Sequence, residues 1–276
     1  MQQQTTHQQI FLISDGTGIT VESFTKSILS QFPKVNFDFH HYPYIDSIDK
    51  INTIIIKIEE LYLSTQEKPI VFSTIVDSKM MQPIYDAHAE VFDLFNPVVD
   101  RLETILSTKA LDISGRTYAF TSSSDYDHRI DAINYALNCD DGLGAKNYNL
   151  ADIILIGVSR CGKTPSCLYM ALQFGIYAAN FPITEESLDP HHLPDILQEF
   201  KSKLFGLTIT PQRLQHIRHE RRPNSKYASL AQCEYEIKLV ESLYRSQNIP
   251  FLDSTHYSIE EISTRIISQM NLKKRL

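Results

Sequence analysis

Ala151-Asp-Ile-Ile-Leu-Ile156 is an apolar run broken by one aspartate, and it leads straight into Gly157-Val-Ser-Arg-Cys-Gly-Lys-Thr164. Pro165 follows and opens a helical pattern that continues to Phe174. A short apolar run closed by glycine reads as a fully buried strand, and proline is favoured in the first turn of a helix. Strand, tight loop and helix in that order form the unit of a parallel α/β sheet, which restricts the fold more than any other feature here. The loop also fits G-x-x-x-x-G-K-[ST] at every fixed position. Glycines let the backbone wrap a polyphosphate with its amide N–H groups turned inward, and the helix behind presents its positive end. Gly157, Val158, Ser159, Arg160, Cys161, Gly162, Lys163 and Thr164 are therefore expected to cradle phosphate. In that pattern Lys163 reaches the outer phosphate and the Thr164 hydroxyl holds Mg²⁺.

The rest of the chain repeats the alternation. Strands are expected at 10–13, 35–39, 69–76, 177–181, 204–209 and 249–252. Helices are expected at 20–32, 48–63, 79–95, 98–106, 128–139, 211–222, 230–247 and 258–270. In the second of these, Ile51, Ile54, Ile55, Ile58, Leu61 and Tyr62 recur at spacings of three and four, one face of a helix. Periodicity lapses from Ser107 to Asp127, where a long loop is expected. The Gly/Lys/Asn-rich stretch 142–149 is the expected join between two halves, 1–146 and 147–276. The fold class is α/β: an N-terminal open α/β domain, then a P-loop kinase-like domain with a mostly parallel sheet.

Composition narrows the setting. The 276 residues carry 26 Lys+Arg against 33 Asp+Glu, a net −7, which argues against general nucleic-acid binding. No apolar stretch approaches the ~20 residues of a spanning helix, and MQQQTTHQQ lacks the basic start of a secretory signal. The four cysteines form no CxxC and suit a reduced, cytoplasmic setting. The charge is unevenly spread, however. Residues 201–227 hold Lys201, Lys203, Arg213, Arg218, Arg221, Arg222 and Lys226 against Glu220 alone, a local +6. Either this is a solvated basic face or it is a lid or acceptor-binding segment whose arginines grip phosphate. Arg218 and Arg222, four apart, are placed on one helical face, with Leu214 and Ile217 turned to the core.

Other residues carry open alternatives. Arg160 is either an extra cation for a transferring phosphoryl group or a structural ion pair. Cys161 is either a low-pKa thiol at a helix N-terminus or a packed side chain. Asp15, in Ser14-Asp-Gly-Thr-Gly18, either holds phosphate or positions a base, or it shapes a turn. Asp253, after Ile249-Pro-Phe-Leu, is the nearest match to a metal-directed aspartate closing a strand, although Ser254-Thr255 and Ser258-Ile-Glu-Glu261 after it read more as the cap of a final helix. His128, His191, His192, His216 and His219 have no clean metal spacing.

Several segments together resemble the bacterial phosphoenolpyruvate synthase regulatory protein family: ISDGTGIT (13–20), RIDAINYALNCDDG (129–142), ADIILIGVSRCGKTPSCLYMALQFGIYAANFP (151–182), KLFGLTITPQRLQHIRHERR (203–222) and YASLAQC (227–233). The resemblance implies a bifunctional serine/threonine kinase and phosphorylase. The kinase moves the β-phosphate of ADP to a threonine of phosphoenolpyruvate synthase, leaving AMP; the pyrophosphorylase removes it with orthophosphate, releasing pyrophosphate. A related branch acts on pyruvate, phosphate dikinase. ADP would then occupy Gly157–Thr164, with phosphate or pyrophosphate there in reverse, and Thr164 would hold Mg²⁺ with a carboxylate. Asp140 and Asp141 would bind Mg²⁺ or accept the threonine proton, unless they only close a helix at Gly142. Lys163, Arg160, Asp141 and Asp15 are the expected catalytic residues. The implied partners are the synthase, ADP and phosphate, with no nucleic acid and no membrane; a homo-oligomer stays open. Loop chemistry alone also admits a small-metabolite kinase or a non-catalytic nucleotide switch.

Overall fold

The computed structural model describes residues 7–111, 123–184 and 192–275. The chain forms two compact units, Met1–Phe120 and Thr121–Leu276. The join expected at 146 therefore lies inside the second unit.

In the first unit the chain runs β1 (His7–Ile13), α1 (Ile19–Leu29), β2 (Asn36–Tyr42), α2 (Ile48–Thr65), β3 (Ile70–Ser73), α3 (Ser78–Tyr85), β4 (Glu90–Asp93) and α4 (Asn96–Leu106). Its sheet is parallel throughout, in the order β2-β1-β3-β4. Central β1 is apolar on both faces, as a strand covered on both sides must be. Ile10 and Leu12 pack with Val21, Leu29 and Phe72. Phe11 and Ile13 pack with Ile51, Ile54 and Ile58 of α2 and with Met81 and Ile84 of α3.

One expectation fails here. The helix read over 79–95 is α3 followed by β4. Pro83 lies inside α3, where a missing N–H and a ring clash with the preceding turn end a helix early. Glu90-Val-Phe-Asp then pairs with β3, from Ile70 opposite Glu90 to Ser73 opposite Asp93. The strand expected over 69–76 is also shorter, because Thr74–Val76 already belong to the loop beyond β3.

The second unit begins with α5 (Ser123–Asn138), so the end of the loop expected over 107–127 is helix; most of that loop lies outside the described residues. Then come β5 (Ile153–Gly157), α6 (Lys163–Phe174), β6 (Ala178–Pro182), α7 (Asp195–Gln198), β7 (Leu204–Thr208), α8 (Pro211–Arg221), α9 (Leu230–Gln247), β8 (Phe251–Asp253) and α10 (Ile259–Gln269). This sheet is again parallel, in the order β6-β5-β7-β8. All five residues of β5 are buried, as its apolar run requires. Ser258 and Glu261 form a reciprocal capping box at the start of α10. Among the described residues no helix is long and apolar enough to cross a membrane.

Counted along each unit, the two strand orders are the same: second, first, third, fourth. In such sheets the first strand has neighbours on both sides reached by opposite crossovers, and the crevice beyond its carboxyl end is where ligands bind. In the second unit that end carries Gly157–Thr164.

Candidate functional site: the phosphate loop and its surroundings

The loop's shape follows from close approaches and from three anchored carbonyls. A β-carbon on Gly157 would fall 2.5 Å from the Leu207 carbonyl oxygen and 2.9 Å from the Cys161 sulfur, so only glycine lets β5 run this near β7. Gly162 holds φ +99° and caps α6, a conformation that L side chains adopt at a cost. Arg160 also has a positive φ, +79°, a strain of about 1–2 kcal/mol. The Ser159 carbonyl accepts from Arg218 Nη2 at 3.2 Å and Nε at 3.4 Å. The Cys161 carbonyl accepts from the Ser254 hydroxyl at 3.0 Å. In a trans peptide the N–H points opposite the C=O, so anchoring these carbonyls turns the Arg160 and Gly162 amides the other way. The Val158 carbonyl accepts from Lys163 Nζ at 2.9 Å. Lys163 is only 5% exposed, so its charge is held against the loop. Behind it, α6 has neither a side-chain cap nor an acid in its first turn, and its positive end stays available to an anion.

Three side chains from separate elements meet at Thr164. Its hydroxyl donates to Asp140 Oδ1 at 2.8 Å. Asn180 Nδ2 donates to the same carboxylate and lies 3.2 Å from Thr164 Oγ1. Asn180 is buried at 1% exposure in β6, beside β5. Its Oδ1 accepts from the Asp141 amide at 3.1 Å, and its own amide donates to the Cys139 carbonyl. The turn Asp140–Gly142 is thereby fixed against the phosphate loop. A hydroxyl and a carboxylate are hard oxygen donors, the set that Mg²⁺ takes. Among the described residues no three His, Cys, Asp or Glu cluster as a metal cage.

The expected site residues divide accordingly. Gly157 to Thr164 run from the end of β5 through the loop into the first turn of α6, where Lys163 reaches back to the Val158 carbonyl and Thr164 reaches Asp140. Asp141 has φ +48° and an exposed side chain; it meets Asn180 through its backbone, while its neighbour Asp140 reaches Thr164. Arg160 is exposed and has no ion pair among the described residues. Asp15 belongs to the first unit, where its carboxylate accepts from the Val76 amide at 3.1 Å, the contact of a turn-shaping residue. The Asp253 carboxylate accepts from the Thr255 amide at 2.9 Å; it lies on β8, two strands from β5, or roughly 10 Å at ordinary strand spacing. Cys161 is buried at 1% exposure. Burial pushes its thiol pKa up, against the lowering by Lys163 and backbone amides. It packs; it is not a thiolate at neutral pH.

Within the basic segment the arginines separate. Arg218 is wholly buried. It makes two hydrogen bonds to Glu236 at 2.6 and 3.1 Å, one to the Tyr227 carbonyl at 3.0 Å, and lies 4.1 Å from the Tyr227 ring centre. Burial disfavours its charge, and the Glu236 carboxylate more than offsets this and raises its pKa. Arg221 and Arg222 are exposed. The single helical face expected for Arg218 and Arg222 is not formed, because α8 ends at Arg221 and Arg222 takes φ −140° and ψ 81°. His216 pairs with Glu220 at 3.4 Å.

Sequence reasoning passed over Asn180 and the Arg218–Glu236 pair. The available signals were a lone amide in the apolar strand Ala178-Ala-Asn-Phe, and the spacing of four that sets Arg218 on the same helical face as the core residue Leu214.

A parallel α/β unit with a glycine loop between strand and helix, a buried lysine and a hydroxyl–carboxylate pair has the architecture of a phosphate-loop kinase. The family model described as Kinase/pyrophosphorylase matches residues 10–267. The chain is 51% identical over 267 residues to a Legionella pneumophila (strain Lens) protein named "Putative phosphoenolpyruvate synthase regulatory protein", covering 97% of this chain and 98% of that one. Proteins of the same name from Hahella chejuensis and Pseudomonas savastanoi pv. phaseolicola are 47% and 46% identical, each over 96% of this chain and 98% and 97% of their own. The chain belongs to the kinase/pyrophosphorylase family.

Proposed function

We propose that this protein is a phosphotransferase that regulates phosphoenolpyruvate synthase in both directions. In the forward direction the hydroxyl oxygen of a synthase threonine attacks the β-phosphorus of ADP. The bond from that phosphorus to the α–β bridging oxygen breaks, AMP leaves, and the threonine proton passes to a carboxylate. In reverse, an orthophosphate oxygen attacks the phosphothreonine phosphorus. The bond to the threonine oxygen breaks, that oxygen takes a proton, and pyrophosphate leaves.

The convergence of Lys163, Thr164 and Asp140 at the N-terminus of α6 carries this reading. Such transfer needs positioning and charge neutralisation more than covalent help from the protein. The loop amides and Lys163 hold the phosphates, and the same donors accept ADP, orthophosphate or pyrophosphate because they recognise phosphoryl oxygens alone. Thr164 and Asp140 are the residues that would hold Mg²⁺, which when bound neutralises phosphate charge. Asp141, exposed on the same turn, is the carboxylate free to take the threonine proton, and Arg160 adds a cation on the loop. The kinase/pyrophosphorylase family match and the relatives' regulatory names support the same assignment.

The test uses synthase phosphorylated on threonine and incubated with orthophosphate. Pyrophosphate release should match phosphothreonine loss. Lys163→Ala should slow both directions by about 10²–10³-fold, the usual cost of one lost donor to a developing charge. Unaltered turnover in Lys163→Ala would place the chemistry elsewhere.

A further inference from the structure

Beside the phosphate loop lies a cavity of about 210 Å³ lined by Ser159, Arg221, Arg222 and Tyr227. Consecutive residues of a helix do not face the same way. Arg221 and Arg222 share this cavity because the backbone leaves the helix at Arg222. Neither guanidinium has a carboxylate partner among the described residues. The negative end of α8 favours cations at this position without one.

The opposite wall is held in place. Buried Arg218 ties the Ser159 carbonyl of the loop to the Tyr227 carbonyl, with Glu236 fixing its guanidinium from behind. The Tyr227 hydroxyl donates to Ser159 Oγ at 3.0 Å. Two arginines, a serine and a tyrosine thus border one space, on a frame that includes a residue of the phosphate loop itself. Ten guanidinium N–H donors and no acid make a site for an anion of high charge density, since arginine forks match phosphate oxygens in pairs. At roughly seven waters' share of liquid volume, the cavity suits one phosphate group and falls below the usual volume of a site for a whole nucleotide.

We propose that Ser159, Arg221, Arg222 and Tyr227 form a second phosphate subsite, next to the nucleotide cradle, for a dianionic phosphate. Two sources share that chemistry: free orthophosphate and the phosphothreonyl side chain of a protein. The subsite rests on the phosphotransferase reading for its role and not for its binding. It would let the reverse reaction hold one phosphate in the cradle and another beside it.

The experiment is calorimetric titration of the full chain, with ADP saturating the cradle, using orthophosphate, N-acetylphosphothreonine amide and its unphosphorylated form. The Arg221→Ala/Arg222→Ala double variant is compared with wild type; both side chains are exposed, and circular dichroism checks that the fold is kept. With the charged hydrogen bonds of both guanidiniums lost, binding of a phosphate ligand should weaken at least about tenfold in the double variant. ADP affinity should stay within about twofold. Loss confined to orthophosphate, or to the phosphothreonine compound, supports the subsite and names its source. Binding of both ligands unchanged by the double substitution, no binding of either by wild type, or a parallel loss of ADP would overturn it. Arginine-dependent phosphate binding in a protein that transfers nothing from ADP would instead refute the phosphotransferase reading and leave the subsite standing.

Discussion

Arg218 shows how one residue can belong to a functional loop without touching its ligand. It spends its donors on Glu236, Tyr227 and the Ser159 carbonyl, and none remains for phosphate. Removing one partner of a buried, hydrogen-bonded ion pair leaves the other charge stranded, at about 3–5 kcal/mol. Arg218→Ala should therefore lower the urea midpoint of the second unit by that equivalent. Replacing Arg218 and Glu236 together with apolar residues should recover much of the loss in stability but not the geometry of Ser159. A double variant as unstable as Arg218→Ala would contradict the pairing. Cys161 offers a second check at this scale. Its burial and raised pKa, shared in direction by Cys139, Cys167 and Cys233, keep all four thiols protonated at pH 8. Native protein should react with Ellman's reagent at none of its four cysteines and at all four in denaturant. One fast thiol in the native state would revive the thiolate reading of the loop.

At the scale of elements, the phosphate loop could be read from sequence because all its determinants are local. Strand β5, the two glycines, Lys163 and Thr164 lie within one continuous stretch. The groups completing the site are not local: Asp140 and Asn180 stand 24 and 16 residues from Thr164, and only the pairing of β6 with β5 brings Asn180 alongside. The adjacent Asp140-Asp141 are expected to serve Mg²⁺ or the threonine proton, with Asp141 as the catalytic one, but sequence does not say which of the two meets Thr164. The turn decides it, because Asp141 adopts a left-handed backbone and sends its amide, not its carboxylate, to Asn180. The same distinction explains the misread helix over 79–95, where apolar spacings continued through a proline into an edge strand. It also explains the basic segment, where a helical spacing was projected past the helix end. Asn180→Asp tests the element-level account. A second carboxylate beside Asp140 should displace the turn and lower transfer, whereas Asn180→Ala should fold less stably because it strands the Asp141 amide. Transfer unchanged in both would mean that β6 does not organise the site.

For the whole molecule, the net charge of −7 conceals an excess of +6 over residues 201–227, and the fold divides that excess by depth. Arg218 is consumed as internal structure, while Arg221 and Arg222 remain open beside the loop. The α/β class was legible throughout from alternating strand and helix patterns. The identical strand order of the two units was not, since it depends on which strands pair. Both units have a loop after their first strand; beyond the second, Lys163 and Thr164 open α6 and Asp140 reaches Thr164 from a separate turn, while in the first the Asp15 carboxylate accepts from the Val76 amide. In the proposed function, the loop after β5 delivers the β-phosphate of ADP to a protein threonine. The most direct measurement is incubation of the protein with purified phosphoenolpyruvate synthase and either ADP or ATP freed of ADP, with phosphothreonine and AMP quantified by mass spectrometry. Equimolar AMP and phosphothreonine are expected with ADP, and neither with ATP alone; phosphothreonine from ATP only, or none with either nucleotide, would overturn the assignment.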